Sequence, residues 1–244
     1  MTKKNDLKGK IVLVTGASRG IGYATAKEAA KRGAHIVAVA RTVGGLEDLD
    51  DEIQAEGGTC TLVPFDLKDG DAIDRLGQQI FERWGKLDGM IVNAALLGVI
   101  SPLPHISPKE FSSVMEVNVT APYRLVRSMD VLLRASENGR VVFVSSSSAN
   151  SARPYWGLYA ATKAALNAMA KSYGGELEQT NVKVNVFYPG AVRTLMRAKA
   201  VPGEDPMTLP APEEIVPKLV DLVSPGMHET GKIFDIRTGR FTDI

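Results

Sequence analysis

Ile11-Val12-Leu13-Val14-Thr15-Gly16-Ala17-Ser18-Arg19-Gly20-Ile21-Gly22 is the stretch that decides the fold of this 244-residue chain. Its first four residues form the apolar run of a buried strand, and residues 21–31 have the pattern of a helix. A glycine turn that leads into a helix offers a phosphate unpaired N–H groups and the positive end of the helix dipole. Three residues separate the first two glycines, whereas the usual dinucleotide-binding pattern has one.

Each of the three glycines has its own physical reason. Gly16 permits the tight turn, Gly20 lets the backbone approach a phosphate, and Gly22 allows the helix to pack closely on the strand. Because the turn also lies in the first strand-helix unit, we predict that it binds the pyrophosphate of a dinucleotide. The residues predicted to bind are Gly16, Ser18, Arg19, Gly20, Ile21 and Gly22.

Short apolar runs alternate with longer helical segments along the rest of the chain. Strands are predicted at residues 11–14, 35–40, 59–65, 89–92, 141–144, 182–187 and 232–236. Strands that are apolar on both faces belong to a parallel sheet covered by helices. We therefore predict an α/β fold, a single domain over residues 1–244 with a doubly wound, mostly parallel sheet of seven strands flanked by helices. Residues 196–212 contain four prolines and are predicted to form a long, mobile loop that closes over substrate.

Composition excludes several classes of function. Lys and Arg number 29 against 28 Asp and Glu, so the net charge of +1 gives no overall attraction to nucleic acid or to an anionic membrane. Cys60 is the only cysteine, which fits a reducing compartment. Residues 1–10 are polar and no later run suggests a membrane span, so we expect a cytoplasmic protein. The three histidines are scattered, and we expect no metal site.

The end of the second strand indicates which dinucleotide binds. An acidic residue after this strand would bind a free ribose 2′-hydroxyl, whereas a basic residue accommodates a 2′-phosphate. The chain has Arg41-Thr42 there, with no acid before Glu47 and nothing that would repel the added charge. Arg19 in the glycine turn can supply a second guanidinium. The sequence therefore favours NADPH over NADH.

A second group of polar residues points to proton-transfer chemistry. Tyr159 and Lys163 lie four residues apart in a helical stretch, so the phenol and the ammonium share one face. An unperturbed tyrosine has a pKa of about 10, so a nearby cation makes it useful near neutral pH. The serines at residues 145–148 follow a predicted strand, where ligands bind in open α/β sheets. Other predicted strands end at Asp66, Asn93 and Pro189-Gly190.

These motifs together resemble those of the short-chain dehydrogenase/reductase family, whose members have a Rossmann-type fold, over nearly the whole chain. The resemblance implies that Tyr159 is the general acid/base and that Lys163 lowers its pKa and contacts the nicotinamide ribose. It implies that Ser146 polarises the substrate carbonyl, with Ser147 as the alternative in a run of four serines. Asn118 would fix a helix bend and the water chain of a proton relay.

The same resemblance implies further contacts with the cofactor. Asp66 should bind adenine, Asn93 should support the cofactor and the sheet, and Thr194 should approach the carboxamide. The remaining residues expected to line the cofactor site are Leu67, Pro189, Gly190 and Val192. The chain departs from the family pattern at Asn93-Ala94-Ala95-Leu96, where the family usually has Asn-Asn-Ala-Gly. Leu96 therefore places a large apolar side chain beside the cofactor cleft.

The predicted function is NADPH-dependent hydride transfer between nicotinamide and a carbonyl or secondary alcohol of a small apolar substrate. The alternatives are a 3-oxoacyl-thioester reductase and a nonenzymatic NADPH-binding sensor. A wall for an apolar substrate, or else lid packing, is expected from Leu96, Leu97, Tyr155, Trp156, Met196 and Met207. The resemblance further implies a homotetramer or a homodimer, paired through helices at about residues 108–135 and 159–179.

Overall fold

The computed structural model describes residues 6–244; residues 1–5 of the polar N-terminal segment lie outside the described part. Within it, eight strands form one sheet in the order β3-β2-β1-β4-β5-β6-β7-β8. The strands are β1 (Ile11–Thr15), β2 (His35–Ala40), β3 (Thr59–Pro64), β4 (Gly89–Val92), β5 (Arg140–Val144), β6 (Lys183–Tyr188), β7 (Lys232–Asp235) and β8 (Arg240–Asp243). The α/β fold and the seven parallel strands are confirmed, and the chain adds an eighth strand.

This eighth strand runs antiparallel to β7 and closes one edge of the sheet. Phe241 packs edge-on against Phe234 at a centroid distance of 5.1 Å, and Lys232 pairs with Asp243 at 2.6 Å. Its residues are mostly exposed, because only one apolar side chain anchors it. The short run therefore lacked the apolar pattern from which the other strands were predicted.

The helices cover both faces of the sheet. They are α1 (Gly20–Lys31), α2 (Val43–Ala55), α3 (Gly70–Trp84), α4 (Pro108–Met115), α5 (Ala121–Arg134), α6 (Ser148–Ser151), α7 (Gly157–Glu176), α8 (Leu195–Ala200) and α9 (Pro212–Asp221). Alternate residues of a strand point to opposite faces. Val12 and Val14 thus pack with α1, α2 and α9, whereas Ile11 and Leu13 pack with α3, α5 and α7. None of the helices in the described part is both long enough and apolar enough to cross a membrane.

The prediction of an irregular loop over residues 196–212 is wrong for its first part. Thr194 caps α8 by accepting a hydrogen bond from the Arg197 N–H at 3.2 Å. The Arg197 guanidinium then makes two hydrogen bonds to the Glu204 carboxylate, at 2.5 and 2.6 Å. These contacts stabilise a short helix and the turn after it, and Pro202, directly after the C-cap residue Val201, ends the helix.

A buried ion cluster joins the first helix to the last. Arg32 is 3% exposed at its side chain and pairs with Glu28 of α1 at 2.8 Å and with Asp221 of α9 at 2.7 Å. Its guanidinium also donates to the Pro217 carbonyl at 2.9 Å. The helix that follows the glycine turn is therefore held in place by the C-terminal part of the chain.

A buried carboxylate connects the amino ends of β1 and β4. Asp88 accepts hydrogen bonds from the Ile11 N–H at 3.0 Å and from the Ser136 hydroxyl at 2.6 Å, and it pairs with Lys10 and Lys86. Burial raises the pKa of Asp88, but the hydrogen bonds from Ser136, Ile11 and Lys86 outweigh burial and hold it below its usual value. The two strands on either side of the topological switch point are thus held together at one end, opposite the expected ligand site.

Candidate active site

The glycine turn lies at the carboxyl end of β1, between β2 and β4. Gly16 and Gly20 have φ values of +69° and +60°, which favour glycine. A Cβ at Gly22 would overlap the Gly16 carbonyl oxygen, so this glycine permits α1 to pack against the turn. The first turn of α1 contains no acidic residue. Bare backbone at the positive end of a helix fits the pyrophosphate of a dinucleotide, and Gly16, Ser18, Arg19, Gly20, Ile21 and Gly22 are all in this turn.

Asn93 supports the turn from the neighbouring strand. Its side-chain amide donates to the Thr15 carbonyl at 2.9 Å, and its backbone N–H donates to the Thr15 hydroxyl at 3.0 Å. The Ala94 N–H donates to the same hydroxyl at 3.1 Å. This role of Thr15 was not predicted from the sequence, although its position at the end of the first strand could have indicated it. These bonds hold the ends of β1 and β4 together at the switch point.

The surroundings of Arg19 differ from the sequence expectation. Ser18 and Arg19 line an open hollow of about 540 Å³ together with acidic side chains of α2: Asp48, Asp51 and Glu52. The expectation that nothing nearby would repel an added negative charge is therefore wrong. These acids lie beyond the end of β2 in sequence, and the second and third turns of α2 bring them back beside the glycine turn.

Arg41 and Asp66 contact each other at the ends of β2 and β3. The guanidinium lies 3.4 Å from the carboxylate, and both side chains are exposed, so the contact is weak and leaves both accessible. Asp66 also accepts a hydrogen bond from the Lys68 N–H at 3.1 Å. Leu67 is 8% exposed and packs into the core, so its side chain anchors the segment that carries Asp66.

Tyr159 and Lys163 lie on the first turns of α7, as their spacing predicted. The Lys163 side chain is buried, its ammonium lies 5.6 Å from the centroid of the Tyr159 ring, and it donates to the Val144 carbonyl at 2.9 Å. Burial raises the pKa of the Tyr159 phenol to about 12, in the opposite direction to the lowering by Lys163 that the resemblance implied. Burial also lowers the pKa of the Lys163 ammonium to about 8. Near neutral pH the phenol is thus protonated.

Asn118 lies in a π-helical turn, Glu116–Thr120, between α4 and α5. Its amide oxygen accepts from the Leu96 N–H at 2.8 Å, and its amide nitrogen donates to the Leu96 carbonyl at 2.8 Å and to the Thr162 hydroxyl at 3.0 Å. Thr162 in turn donates to the Tyr159 carbonyl at 2.8 Å. Asn118 therefore connects the loop after β4 to the helix that carries Tyr159, and the link through Thr162 was missed from the sequence.

The serine run follows β5 and turns into α6. Ser145 is buried, whereas Ser146 and Ser147 are partly exposed. The Ser146 hydroxyl accepts from the Ser148 N–H at 3.1 Å and lies 3.1 Å from the Ser148 hydroxyl. Ser146 is therefore fixed in one orientation at the carboxyl end of β5, next to the strand end that receives the Lys163 ammonium.

The segment after β6 approaches the glycine turn at Thr194. A Cβ at Gly20 would lie 3.5 Å from the Thr194 methyl group, which is van der Waals contact. Gly190 has a φ of +70°, and Val192 is 4% exposed in the core. Of Pro189, Gly190, Val192 and Thr194, all in the segment between β6 and α8, Thr194 is thus the residue shown to lie against the glycine turn.

Two strained residues mark the loop between the serine run and α7. Ala152 and Tyr155 have φ values of +37° and +73°, which are costly for residues other than glycine. The Tyr155 carbonyl accepts from the Ser101 N–H at 3.0 Å, which fastens this loop to the one after β4. Such strain tends to occur at binding sites, and nothing in the sequence indicated it.

A doubly wound sheet with a glycine turn at its switch point and a tyrosine-lysine pair two strands away is the arrangement of a dinucleotide-dependent oxidoreductase. The family model for short chain dehydrogenases matches residues 10–205, and the chain belongs to that family. It is 36% identical over 250 residues to the oxidoreductase YciK of Escherichia coli, covering 98% of this chain and 96% of that protein.

Two further comparisons bear on the site. A short chain dehydrogenase from Escherichia coli CFT073, solved in complex with NADPH, superposes with a TM-score of 0.91 at 36% identity and covers 96% of this chain and 98% of its own. A fatty acyl-CoA reductase from Acinetobacter baylyi is 34% identical over 198 residues, 80% of this chain and 66% of that protein. The protein is thus an oxidoreductase with a Rossmann-type fold that binds nicotinamide dinucleotides in its relatives.

Proposed function

We propose that the protein is an NADPH-dependent oxidoreductase that transfers a hydride between nicotinamide and a carbonyl or secondary alcohol of a small apolar substrate. The observation that carries the proposal is the Tyr159-Lys163 pair, with a buried ammonium beside the phenol ring. The glycine turn would hold the pyrophosphate, and Arg19 and Arg41 would hold the 2′-phosphate. When bound, the nicotinamide supplies or accepts the hydride.

The side chains of the chain itself perform the proton transfer. Tyr159, protonated near neutral pH, donates its phenolic proton to the carbonyl oxygen as charge develops there. Ser146, already oriented by Ser148, donates a hydrogen bond to the same oxygen. Lys163 holds positive charge beside the phenol and so stabilises the tyrosinate that remains. Asn118, through Thr162, keeps the helix of Tyr159 in register with the loop after β4.

Apolar side chains around the cleft support an apolar substrate. Large hydrophobic residues are exposed in the loops after β4, β5 and β6, which surround the carboxyl edge of the sheet: Val99, Leu103, Tyr155, Leu195 and Met207. An exposed apolar rim of this kind is typical of a ligand site. Leu103 also lies against Gly157, so this rim begins directly at the helix of Tyr159.

A 3-oxoacyl thioester is the second substrate class that this rim supports. A long acyl chain would cover more exposed apolar surface than a small ketone. The identity with a fatty acyl-CoA reductase agrees with this alternative. We also propose that residues 1–244 form one domain, since all eight strands of the described part share a sheet.

Turnover assays test the proposal directly. Purified protein is incubated with NADPH and a panel of ketones, aldehydes and 3-oxoacyl thioesters, and oxidation of NADPH is followed by absorbance. Turnover of at least one carbonyl that is abolished in Tyr159→Phe supports the proposal. Tight NADPH binding with no turnover across the panel would instead favour a nonenzymatic sensor.

A further inference from the structure

Helix α2 begins in direct contact with the glycine turn. A Cβ at Gly45, the third residue of α2, would lie 2.7 Å from the Ser18 carbonyl oxygen and 3.0 Å from the Ser18 Cβ. A Cβ at the preceding Gly44 would meet no atom within 4 Å. Neither glycine has a positive φ, so backbone conformation does not require either of them. The close approach to Ser18 is the packing reason for glycine at position 45.

This contact completes a closed set of connections around the turn. The Gly16 and Ala17 N–H groups donate to the Val39 carbonyl at 2.8 and 3.2 Å, which ties the start of the turn to β2. The chain then leaves β2 through Arg41 and enters α2, whose Gly45 returns to Ser18. The contact therefore fixes the distance between the segment that carries Arg41 and the segment that carries Arg19.

That distance matters because of the charges on α2. Asp48, Asp51 and Glu52 line the same hollow as Ser18 and Arg19. Lys27 pairs with Glu52 and offsets one of these carboxylates. A 2′-phosphate would bind only where the guanidinium groups lie closer to it than the carboxylates of Asp48 and Asp51 do. A 2′-hydroxyl carries no charge, so its binding does not depend on these distances.

We infer that Gly45 is a positioning residue for cofactor specificity: by admitting close contact with Ser18, it holds Arg19 and Arg41 in the register that a 2′-phosphate needs. The inference rests on the proposed preference for NADPH. It assigns part of that preference to a residue that contacts the turn rather than the phosphate. An added methyl group at position 45 would push the start of α2 away from the turn and separate the two arginines.

The two adjacent glycines provide a matched pair of variants. Helix propensity alone favours alanine at both positions, so Gly44→Ala and Gly45→Ala differ mainly in the contact with Ser18. Dissociation constants for NADPH and NADH are measured by fluorescence titration for both variants and the wild type. Gly45→Ala should lower the ratio of NADPH to NADH affinity about tenfold, as expected for one lost charge-assisted hydrogen bond. Gly44→Ala should keep the wild-type ratio within about twofold.

Kinetics and hydrogen exchange complete the test. The Gly45→Ala effect should appear in KM for NADPH rather than in kcat, since α2 follows β2, and β2 lies three strand positions, about 14 Å, from β5. In the wild type, NADPH should slow amide exchange in residues 43–47 more than NADH does, and this measurement stands even if Gly45→Ala does not fold. A wild-type affinity ratio in Gly45→Ala, or equal protection by both cofactors, would overturn the inference. If the wild type itself binds NADH as tightly as NADPH, the proposed cofactor preference fails first, and this inference fails with it.

Discussion

Replacing Tyr159 by phenylalanine tests the chemistry on which the proposed function depends. A pH of 7 is about five units below the pKa of the phenol, which is about 12. Ionising the phenol at this pH therefore costs about 7 kcal/mol before any help from substrate or cofactor. On the proposed mechanism, Tyr159 enters the carbonyl-reducing direction as the protonated phenol, and Lys163 and the bound cofactor must offset part of this cost. General acid catalysis is typically worth about 10² to 10⁴ in rate, and we expect kcat to fall by at least that factor.

The same substitution should leave the fold unchanged. It removes one oxygen, and the edge-on contact between the ring and Trp156, with centroids 6.2 Å apart, is available to phenylalanine. Stopped-flow turnover on a confirmed substrate is compared with thermal unfolding and NADPH titration of the same sample. Tyr123→Phe, an exposed position on α5, serves as the matched control and should retain wild-type turnover. Near-native turnover in Tyr159→Phe, with folding and NADPH binding intact, would refute the mechanism whatever the fold.

Three other predictions concern cofactor, stability and assembly. The wild type should have a higher kcat/KM with NADPH than with NADH, and Arg41→Asp should reverse this order. Equal use of both cofactors by the wild type would contradict the proposed preference for NADPH. Asp88→Asn should lower the free energy of unfolding by about 2–4 kcal/mol at pH 7, measured in urea. Because folding lowers the pKa of Asp88, its contribution to the free energy of unfolding is present above the unfolded pKa of about 3.9 and is lost as the pH falls through the folded pKa. If the wild type remained more stable than Asp88→Asn by the same amount at pH 3, this account would be wrong. Finally, the exposed side chains of Tyr123 and Val131 lie two turns apart on α5. We expect the protein to form a homotetramer or homodimer through this helix and α7. A monomeric mass by light scattering at micromolar concentration would rule this out.

The sequence was sufficient to predict the fold class and the family, and both are confirmed. Buried strands that are apolar on both faces require covering helices, so the alternation of patterns could be read without tertiary information. The positions of the glycine turn and of the Tyr159-Lys163 pair followed from local spacing, and the structure brings both to the carboxyl edge of the sheet. The roles assigned to these residues stay predictions.

Features that depend on contacts between distant residues could not be predicted in the same way. Helix α8 depends on the cap from Thr194 and on the Arg197-Glu204 pair, which no helical periodicity reveals. Strand β8 depends on one aromatic contact with Phe234. The acids beside Arg19 and the fit of Gly45 against Ser18 arise only when α2 folds back on the turn.

The ion cluster of Arg32 has a consequence for how the protein is made. Its partner Asp221 lies 189 residues further along the chain, and α9 covers the face of α1 that carries Ala26 and Ala29. During synthesis, the helix of the dinucleotide turn therefore emerges from the ribosome long before the helix that buries it. Until residues 212–221 have emerged, its alanine-rich face stays open to solvent, to chaperones and to other nascent chains. The packing around the glycine turn is thus complete only when the C-terminal segment is present, although the turn itself is among the first motifs to be translated.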